Sequence, residues 1–299
     1  MAVPVVDPQR RQAIQSALLA WGEAVRRDLP WRRTRDPWAI LVSEVMLQQT
    51  QVTRVVPMWQ AFMGHFPTPA ACASAPLGAV ITAWQGLGYN RRARNLHASA
   101  VQIVERHAGR MPDSLDALQA LPGVGPYTAR AVLAFAFEQN AAVVDTNATR
   151  FLSRAVAGQR LPSGRAQRLA DAMLPAGQAW AWNQAVLDLG AMTCTSRAPA
   201  CASCPLMAQC AWRGAWALDS LTVDPAIGSG STGRQSTFDG SDRQGRGRLV
   251  AALARGPVDR ADVAARMGWP DDPDRCARVA ATVVADGLAV WEAGVLVLP

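Results

Sequence analysis

The chain has 299 residues, half of them hydrophobic, and a formal net charge of +7 in which every one of the 30 basic side chains is an arginine. That length suits two domains or one large domain with an appendage. No run of eighteen apolar residues and no basic-then-apolar leader occurs, which argues against a membrane span and predicts a soluble, cytoplasmic protein. The basic balance favours a polyanionic partner. Without lysine, no side-chain amine can form a Schiff base.

Residues 9–28 repeat apolar side chains at helical spacing (Ile14, Leu18, Trp21, Val25) and predict an amphipathic helix. Leu29-Pro30-Trp31-Arg32-Arg33 interrupts it. Residues 37–49, 52–65, 77–85 and 91–107 continue the helical pattern, punctuated later by Pro112, Pro122, Pro162 and Pro175. No convincing period-two alternation precedes Gly214, so the first two-thirds is expected to be all-α. After Leu218 the composition turns rich in Gly, Ser, Thr, Gln and Asp, and residues 219–247 are expected to form a linker. Residues 248–299 recover a pattern of three helices and a small hairpin around Gly294, the outline of a winged-helix-like module.

The stretch 121–147 carries the strongest local signal. Gly123 and Gly125 flank Val124, which suits a tight hairpin with φ > 0 and close approach of a phosphate to the backbone. Pro126 then opens a helix whose first N–H groups and positive dipole end favour an anion. Asp145 follows eighteen positions after Tyr127, at the head of a new helical pattern. Taken singly, the hairpin is a common helix-connecting turn and Asp145 a plausible N-cap. Together they resemble the helix–hairpin–helix DNA glycosylases, and the resemblance implies that Asp145 serves catalysis.

Cys194, Cys201, Cys204 and Cys210 are separated by six, two and five residues. In a reducing compartment such clustering favours a metal, and four thiolates suit zinc or an iron–sulfur cluster alike. The spacing resembles the 4Fe-4S loop of the endonuclease III and adenine glycosylase branch, which implies a 4Fe-4S cluster on these four ligands. Arg197 and Arg213 give the loop cationic groups for phosphate. Cys72 and Cys276 stand apart and read as core residues.

The run Ser43-Glu44-Val45-Met46-Leu47-Gln48-Gln49-Thr50-Gln51-Val52 is similar to the adenine-glycosylase signature. Leu29-Pro30-Trp31-Arg32, Asp36-Pro37-Trp38, Gly86-Leu87-Gly88-Tyr89 and Trp182-Asn183-Gln184-Ala185 match the same family. On these residues the chain resembles the MutY-type adenine DNA glycosylases from about Trp21 to Trp212. That implies a six-helix barrel module over 29–137 and a 4Fe-4S helical module formed by 1–28 with 138–218. It implies a monomer that acts on double-stranded DNA at A:8-oxoguanine or A:G mispairs and, in a bacterium, works on the nucleoid.

Adenine leaves poorly as an anion, so the glycosidic bond breaks readily only when N7 is protonated. A glutamate in an apolar setting can act as that acid, and Glu44 sits among Val42, Val45, Met46 and Leu47. By resemblance, Asp145 stabilises the sugar cation, as the second carboxylate of a glycosidase does, and Tyr127 and Asn147 position the sugar, Asp145 or the water. Gln49 and Tyr89 would enter the duplex, with Gln48 and Thr50 beside them and Gly123, Val124 and Gly125 on the backbone. Arg27, Trp31, Leu47 and Gln184 would form the adenine pocket, although Trp31 and Leu47 also suit plain core. The lyase branch has its lysine where Tyr127 stands, so base removal without strand cleavage is expected. A T:G thymine glycosylase and a catalytically silent, cluster-bearing DNA-binding protein are the rivals. Longer members carry a C-terminal domain that helps read 8-oxoguanine. The roughly eighty residues beyond Leu218 do not resemble it, and there Arg243, Arg246, Arg248 and Arg255 are candidates for phosphate contacts.

Overall fold

The computed structural model describes residues 6–216, 223–227 and 237–299. In chain order its helices are α1 (Pro8–Val25), α2 (Pro37–Leu47), α3 (Val52–His65), α4 (Pro69–Ser74), α5 (Leu77–Ala83), α6 (Arg91–His107), α7 (Leu115–Gln119), α8 (Pro126–Phe135), α9 (Thr146–Phe151), α10 (Ser163–Met173), α11 (Ala179–Asp188), α12 (Ala211–Trp216), α13 (Asp242–Leu253), α14 (Val263–Met267) and α15 (Pro273–Ala285). Three short strands, β1 (Val258–Asp259), β2 (Val290–Glu292) and β3 (Val295–Val297), pair antiparallel in the order β1-β3-β2. The fold is mostly helical, as the sequence predicts. Among the described residues no helix is long and apolar enough to cross a membrane. The chain divides into two compact units, Met1–Pro37 with Gly125–Gly233 and Trp38–Val124 with Arg234–Pro299.

In the first unit Ile14 and Leu18 of α1, Phe151, Leu169 and Trp182 form part of one buried core. Burying each such side chain stabilises the fold by roughly 1.5–3 kcal/mol. α1 can lie close to α11 because residue 22 is glycine, where a Cβ would stand 2.5 Å from the Cβ of Ala185. Segments Leu152–Ala157 and Leu189–Thr193 are wound as π-helix, a widened turn often found near functional groups.

In the second unit every residue of α2 from Trp38 to Met46 is buried. The indole N–H groups of Trp38 and Trp59 are satisfied by the carbonyls of Phe66 at 3.0 Å and Ala39 at 2.9 Å. α6 buries Leu96, Ala100 and Ile103 at helical spacing.

The C-terminal segment runs helix, strand, two helices and a hairpin, the element order of a winged helix. Its first helix opens at Asp242, inside the stretch expected as linker; part of that stretch lies outside the described residues. Ser241 caps it, its hydroxyl accepting from the backbone N–H of Gln244 at 3.4 Å. Gly245, which reads as linker in the sequence, is demanded here by the Trp269 ring lying over it, 2.2 Å from where a Cβ would be. The segment is bound to its own unit: Gly78 N–H donates to the Pro299 carbonyl at 2.8 Å, and Arg91 faces Asp286 at 3.6 Å. Arg246, one of the arginines there, bonds Thr282 and Asp286 within the segment.

Candidate active site and cysteine loop

The hairpin forms as a Leu121–Val124 turn, in which Val124 N–H donates to the Leu121 carbonyl at 3.1 Å. Gly123 sits at φ 78°, and a Cβ there would meet the side chain of Asn95 at 2.9 Å. Both facts require glycine. Gly125 corrects the expectation made for it, because its φ is −88° and nothing lies within 4 Å of where a Cβ would be. It leaves the start of α8 bare rather than permitting an unusual backbone. Pro126 takes the first turn of α8, and no side chain caps that end. Tyr127 follows, half-buried.

Asp145 is both an N-cap and the centre of a network. One carboxylate oxygen accepts from Ala148 N–H at 2.7 Å, the other from Asn147 Nδ2 at 2.7 Å. Arg150 donates to Asn147 Oδ1 at 2.6 Å, to the Gly190 carbonyl at 2.8 Å and to the Cys194 carbonyl at 3.3 Å. Burial pushes the Asp145 carboxyl above its ordinary value, and the hydrogen bonds from Ala148 and Asn147 and the charge of Arg150 oppose this only in part. Gly190 allows the approach, since a Cβ there would stand 2.5 Å from that of Asn147. The chain leading into Asp145 is gripped by buried Asn183, which accepts from Val143 N–H at 2.8 Å and donates to the Ala141 carbonyl at 2.9 Å.

On the same unit, Trp31 and Gln184 are buried at 6% and 5% exposure. Arg27 is oriented by the buried carboxylate of Asp188, which accepts its Nε–H at 2.6 Å and both terminal nitrogens of Arg32 at 2.8 and 2.9 Å. Burial works to raise the Asp188 pKa, and the two arginines outweigh it and hold it below the ordinary range.

The four clustered cysteines carry no disulfide and line one cavity with Arg154, Trp212 and Arg213. The Cys210 sulfur accepts from Arg213 N–H at 3.4 Å, and the Cys194 sulfur from Arg154 at 3.5 Å. Burial pushes the Cys204 thiol up to about 11. Among the described residues no group of three or more His, Cys, Asp or Glu side chains is arranged to hold a single metal ion. Arg10 of α1 ties the loop down through the carbonyls of Gln209, Ala155 and Val156. Arg197 and Arg213 are exposed, as a phosphate contact needs, and Cys72 and Cys276 are core residues at 0% and 2% exposure.

The second unit holds Glu44, 5% exposed on the last turns of α2. Leu47, Gln48 and Thr50 are half-buried, and Gln49 is exposed at φ 57°. Tyr89 is 42% exposed at φ 48°, after Gly86 and Gly88, which are also at positive φ. Two non-glycine residues in the left-handed region mark strained, over-determined turns of the kind found at functional sites. Arg243 of the C-terminal segment donates to the Tyr89 hydroxyl at 3.3 Å.

Sequence reasoning missed Arg92, Arg150, Arg154, Asn183 as a backbone clamp, and Asp188. Only Asn183 and Asp188 had a signal, lying in or just after the Trp182–Ala185 match.

Residues 42–171 match the model of the HhH-GPD superfamily of base excision DNA repair proteins. The adenine DNA glycosylase of Mycobacterium tuberculosis is 42% identical over 288 residues, 93% of this chain and 90% of that protein. The adenine DNA glycosylase of Homo sapiens is 42% identical over 66% of this chain and 39% of its own length. Among solved structures, a thermostable thymine-DNA glycosylase superposes at TM-score 0.66 with 30% identity over 69% of this chain and 97% of its own. An endonuclease III bound to DNA superposes at 0.59 with 23% identity over 70% and 98%, which speaks for the fold. With the hairpin, the capped aspartate and the cysteine loop in these places, the chain belongs to the adenine DNA glycosylase family of the HhH-GPD base excision repair superfamily.

Proposed function

We propose that this protein hydrolyses the N-glycosidic bond of adenine mispaired with 8-oxoguanine or guanine in double-stranded DNA. The observation that carries this reading is a carboxyl, Glu44, buried at 5% exposure in a helix whose other residues from Trp38 to Met46, Ser43 apart, are apolar. A fully desolvated carboxylate costs several kcal/mol, so a fold keeps such a group where its chemistry needs it. Glu44 donates its proton to adenine N7, the C1′–N9 bond breaks, and adenine departs as a neutral base. Ionised Asp145 stabilises the positive charge left on the sugar until water adds at C1′ and releases a proton, which restores the Glu44 acid. Asn147 fixes the carboxylate, and Tyr127 orients the sugar. On the first unit Trp31, Gln184 and the Asp188-oriented Arg27 are assigned to the base, and on the second Leu47 is assigned to the base and Gln48, Gln49, Thr50 and Tyr89 to the opened pair. Gly123, Val124 and Gly125 lead into the bare α8 terminus, which suits a backbone phosphate.

Cys194, Cys201, Cys204 and Cys210 would hold a 4Fe-4S cluster. Four cysteine side chains lining one cavity, at the six–two–five spacing, support this reading, since four thiolates are the ligand set of such a cluster. Bound, the cluster supplies a tie that folds the loop.

Duplexes holding A:8-oxoguanine, A:G, T:G or thymine glycol, incubated with the protein, test the reading. Adenine should be released from the first two, leaving an intact abasic strand, and borohydride should trap little protein on DNA because the chain has no lysine. Release of thymine from T:G in place of adenine would favour the reading suggested by the thymine-DNA glycosylase likeness. No release from any duplex would leave only DNA binding.

A pH dependence follows from Asp145. The group must be ionised to act, and its pKa stands above the ordinary aspartate value, so the rate should fall on the acid side at a higher pH than a solvated carboxylate would give. Asn147 donates to the carboxylate and favours its ionised form. Asn147→Ala should therefore raise that pKa and move the acid limb of the single-turnover rate upward. A uniform loss of rate with the limb unmoved would assign Asn147 a different task.

A further inference from the structure

Arg92 is buried at 8% exposure near the start of α6. Its terminal nitrogens meet six acceptors. One donates to the carbonyls of Val45 at 2.9 Å, Met46 at 2.9 Å and Gln48 at 2.6 Å. The other donates to the Thr50 hydroxyl at 3.1 Å and to the carbonyls of Leu87 at 3.1 Å and Gly88 at 3.0 Å. None of the six is a carboxylate. Burial, opposed by the nearby Tyr89 phenol, brings the guanidinium down to about 10, so it still carries its charge at neutral pH.

These acceptors belong to two separate turns. Val45, Met46 and Gln48 supply the carbonyls left over at the C-terminal end of α2, where a cation is favoured. Leu87 and Gly88 belong to the turn before α6. Each turn ends on a non-glycine residue forced to positive φ, Gln49 at 57° and Tyr89 at 48°, and both side chains are exposed. A turn that holds such a residue must be braced from within. One planar fork braces both, and the rings of Trp84 and Tyr89 lie 5.5 and 5.6 Å from it. A lysine offers one point of charge and cannot span six acceptors on two sides.

We propose that Arg92 is a positioning residue that locks the Gln49 and Tyr89 turns into one rigid pair, so that the two side chains open a base pair of the duplex together. This rests on the reading that duplex DNA is the substrate. Arg92 touches no reacting atom. Its contribution is to the opening of the pair, a step that costs about a few kcal/mol, and not to cleavage of the glycosidic bond.

Arg92→Lys separates these two steps. Single-turnover adenine release is measured with adenine paired to 8-oxoguanine and with adenine opposite an abasic-site analogue, where no pair has to be opened. The variant should lose about 10- to 100-fold on the paired substrate, the scale of a small misplacement of a working group, and markedly less on the second. Fluorescence of 2-aminopurine next to the adenine should report reduced opening. Tyr89→Ala should cost less in the Arg92→Lys background than in the wild type, because the two act on one device. If Arg92→Lys does not fold, Thr50→Val, which removes one of the six acceptors, should show the same selectivity at smaller size. Equal losses on both substrates, or additive effects with Tyr89→Ala, would overturn the proposal and leave Arg92 a purely structural residue. A wild type that releases adenine from neither duplex would sink the proposed function, and this proposal with it.

Discussion

Glu44→Gln should abolish adenine release while DNA affinity stays within a few-fold of the wild type. The substitution keeps shape and volume but replaces an acidic proton with amide hydrogens that cannot be given up to N7. General acid catalysis alone is worth about 10²–10⁴-fold, and the loss should reach or exceed the upper end because adenine has no other route to a neutral leaving group. Stability should not suffer. Glu44 lies at 5% exposure, and exchanging an ionisable group for a neutral one at such depth removes a desolvation cost. Thermal melting and binding to a duplex with a non-cleavable adenine analogue should therefore match the wild type. Near-normal single-turnover rates in Glu44→Gln would show that the acid is another group. A large fall in melting temperature would show that the carboxyl holds the fold instead. Glu44→Asp, which keeps the acid but withdraws it by one methylene, should fall between the two.

The parts of the site legible in the sequence are those whose chemistry is local. Gly123 announces a left-handed turn because few other residues tolerate one, and Pro126 announces a helix start because it gives up no useful N–H. Asp145 reads as a cap and is one. The six–two–five cysteine spacing needs no tertiary context to stand out. Arg92, Arg150 and Arg154 were invisible for a physical reason. In a chain whose 30 cations are all arginine, another arginine carries no information until the fold shows which carbonyls surround it. Gly125 misled because a glycine can be kept for the space it leaves as well as for the angle it adopts. The two-residue strand β1 is too short to show alternation, and the start of α13 was hidden because Gly245 and Gly247 read as linker until Trp269 is seen above the first of them.

Arg154→Ala should cost the protein much of its stability and most of its iron. The Arg154 side chain is 2% exposed and pairs with the carboxylate of Asp224. It also donates to the carbonyl of Thr195 at 2.7 Å, to that of Ser196 at 3.2 Å, and to the Cys194 sulfur at 3.5 Å. One guanidinium thus joins the 223–227 segment to the backbone that carries the first cysteine. Removing it leaves the partly buried Asp224 carboxylate with the Ala226 N–H alone, so the cost should fall at the low end of the about 3–5 kcal/mol typical of a buried pair broken from one side. That is a large share of the roughly 5–15 kcal/mol that holds a domain folded. A fall in melting temperature of about ten degrees is expected at the known scaling for chains of this size. Wild-type protein prepared without oxygen should hold about four irons per chain, and Arg154→Ala should hold far fewer, because the loop that presents Cys194 loses its brace. Arg154→Lys should recover only part of both, since a single ammonium cannot serve the carboxylate and the loop carbonyls together. The stability difference should also shrink in acid. Burial works to raise the Asp224 pKa, but Arg154 outweighs it and holds the group below the ordinary range, so the ion pair contributes above the unfolded value and is lost as pH falls through the folded one. Unchanged melting and unchanged iron in Arg154→Ala would show that the loop stands without this brace. One zinc per chain in the anaerobic wild type, with no iron, would overturn the cluster itself.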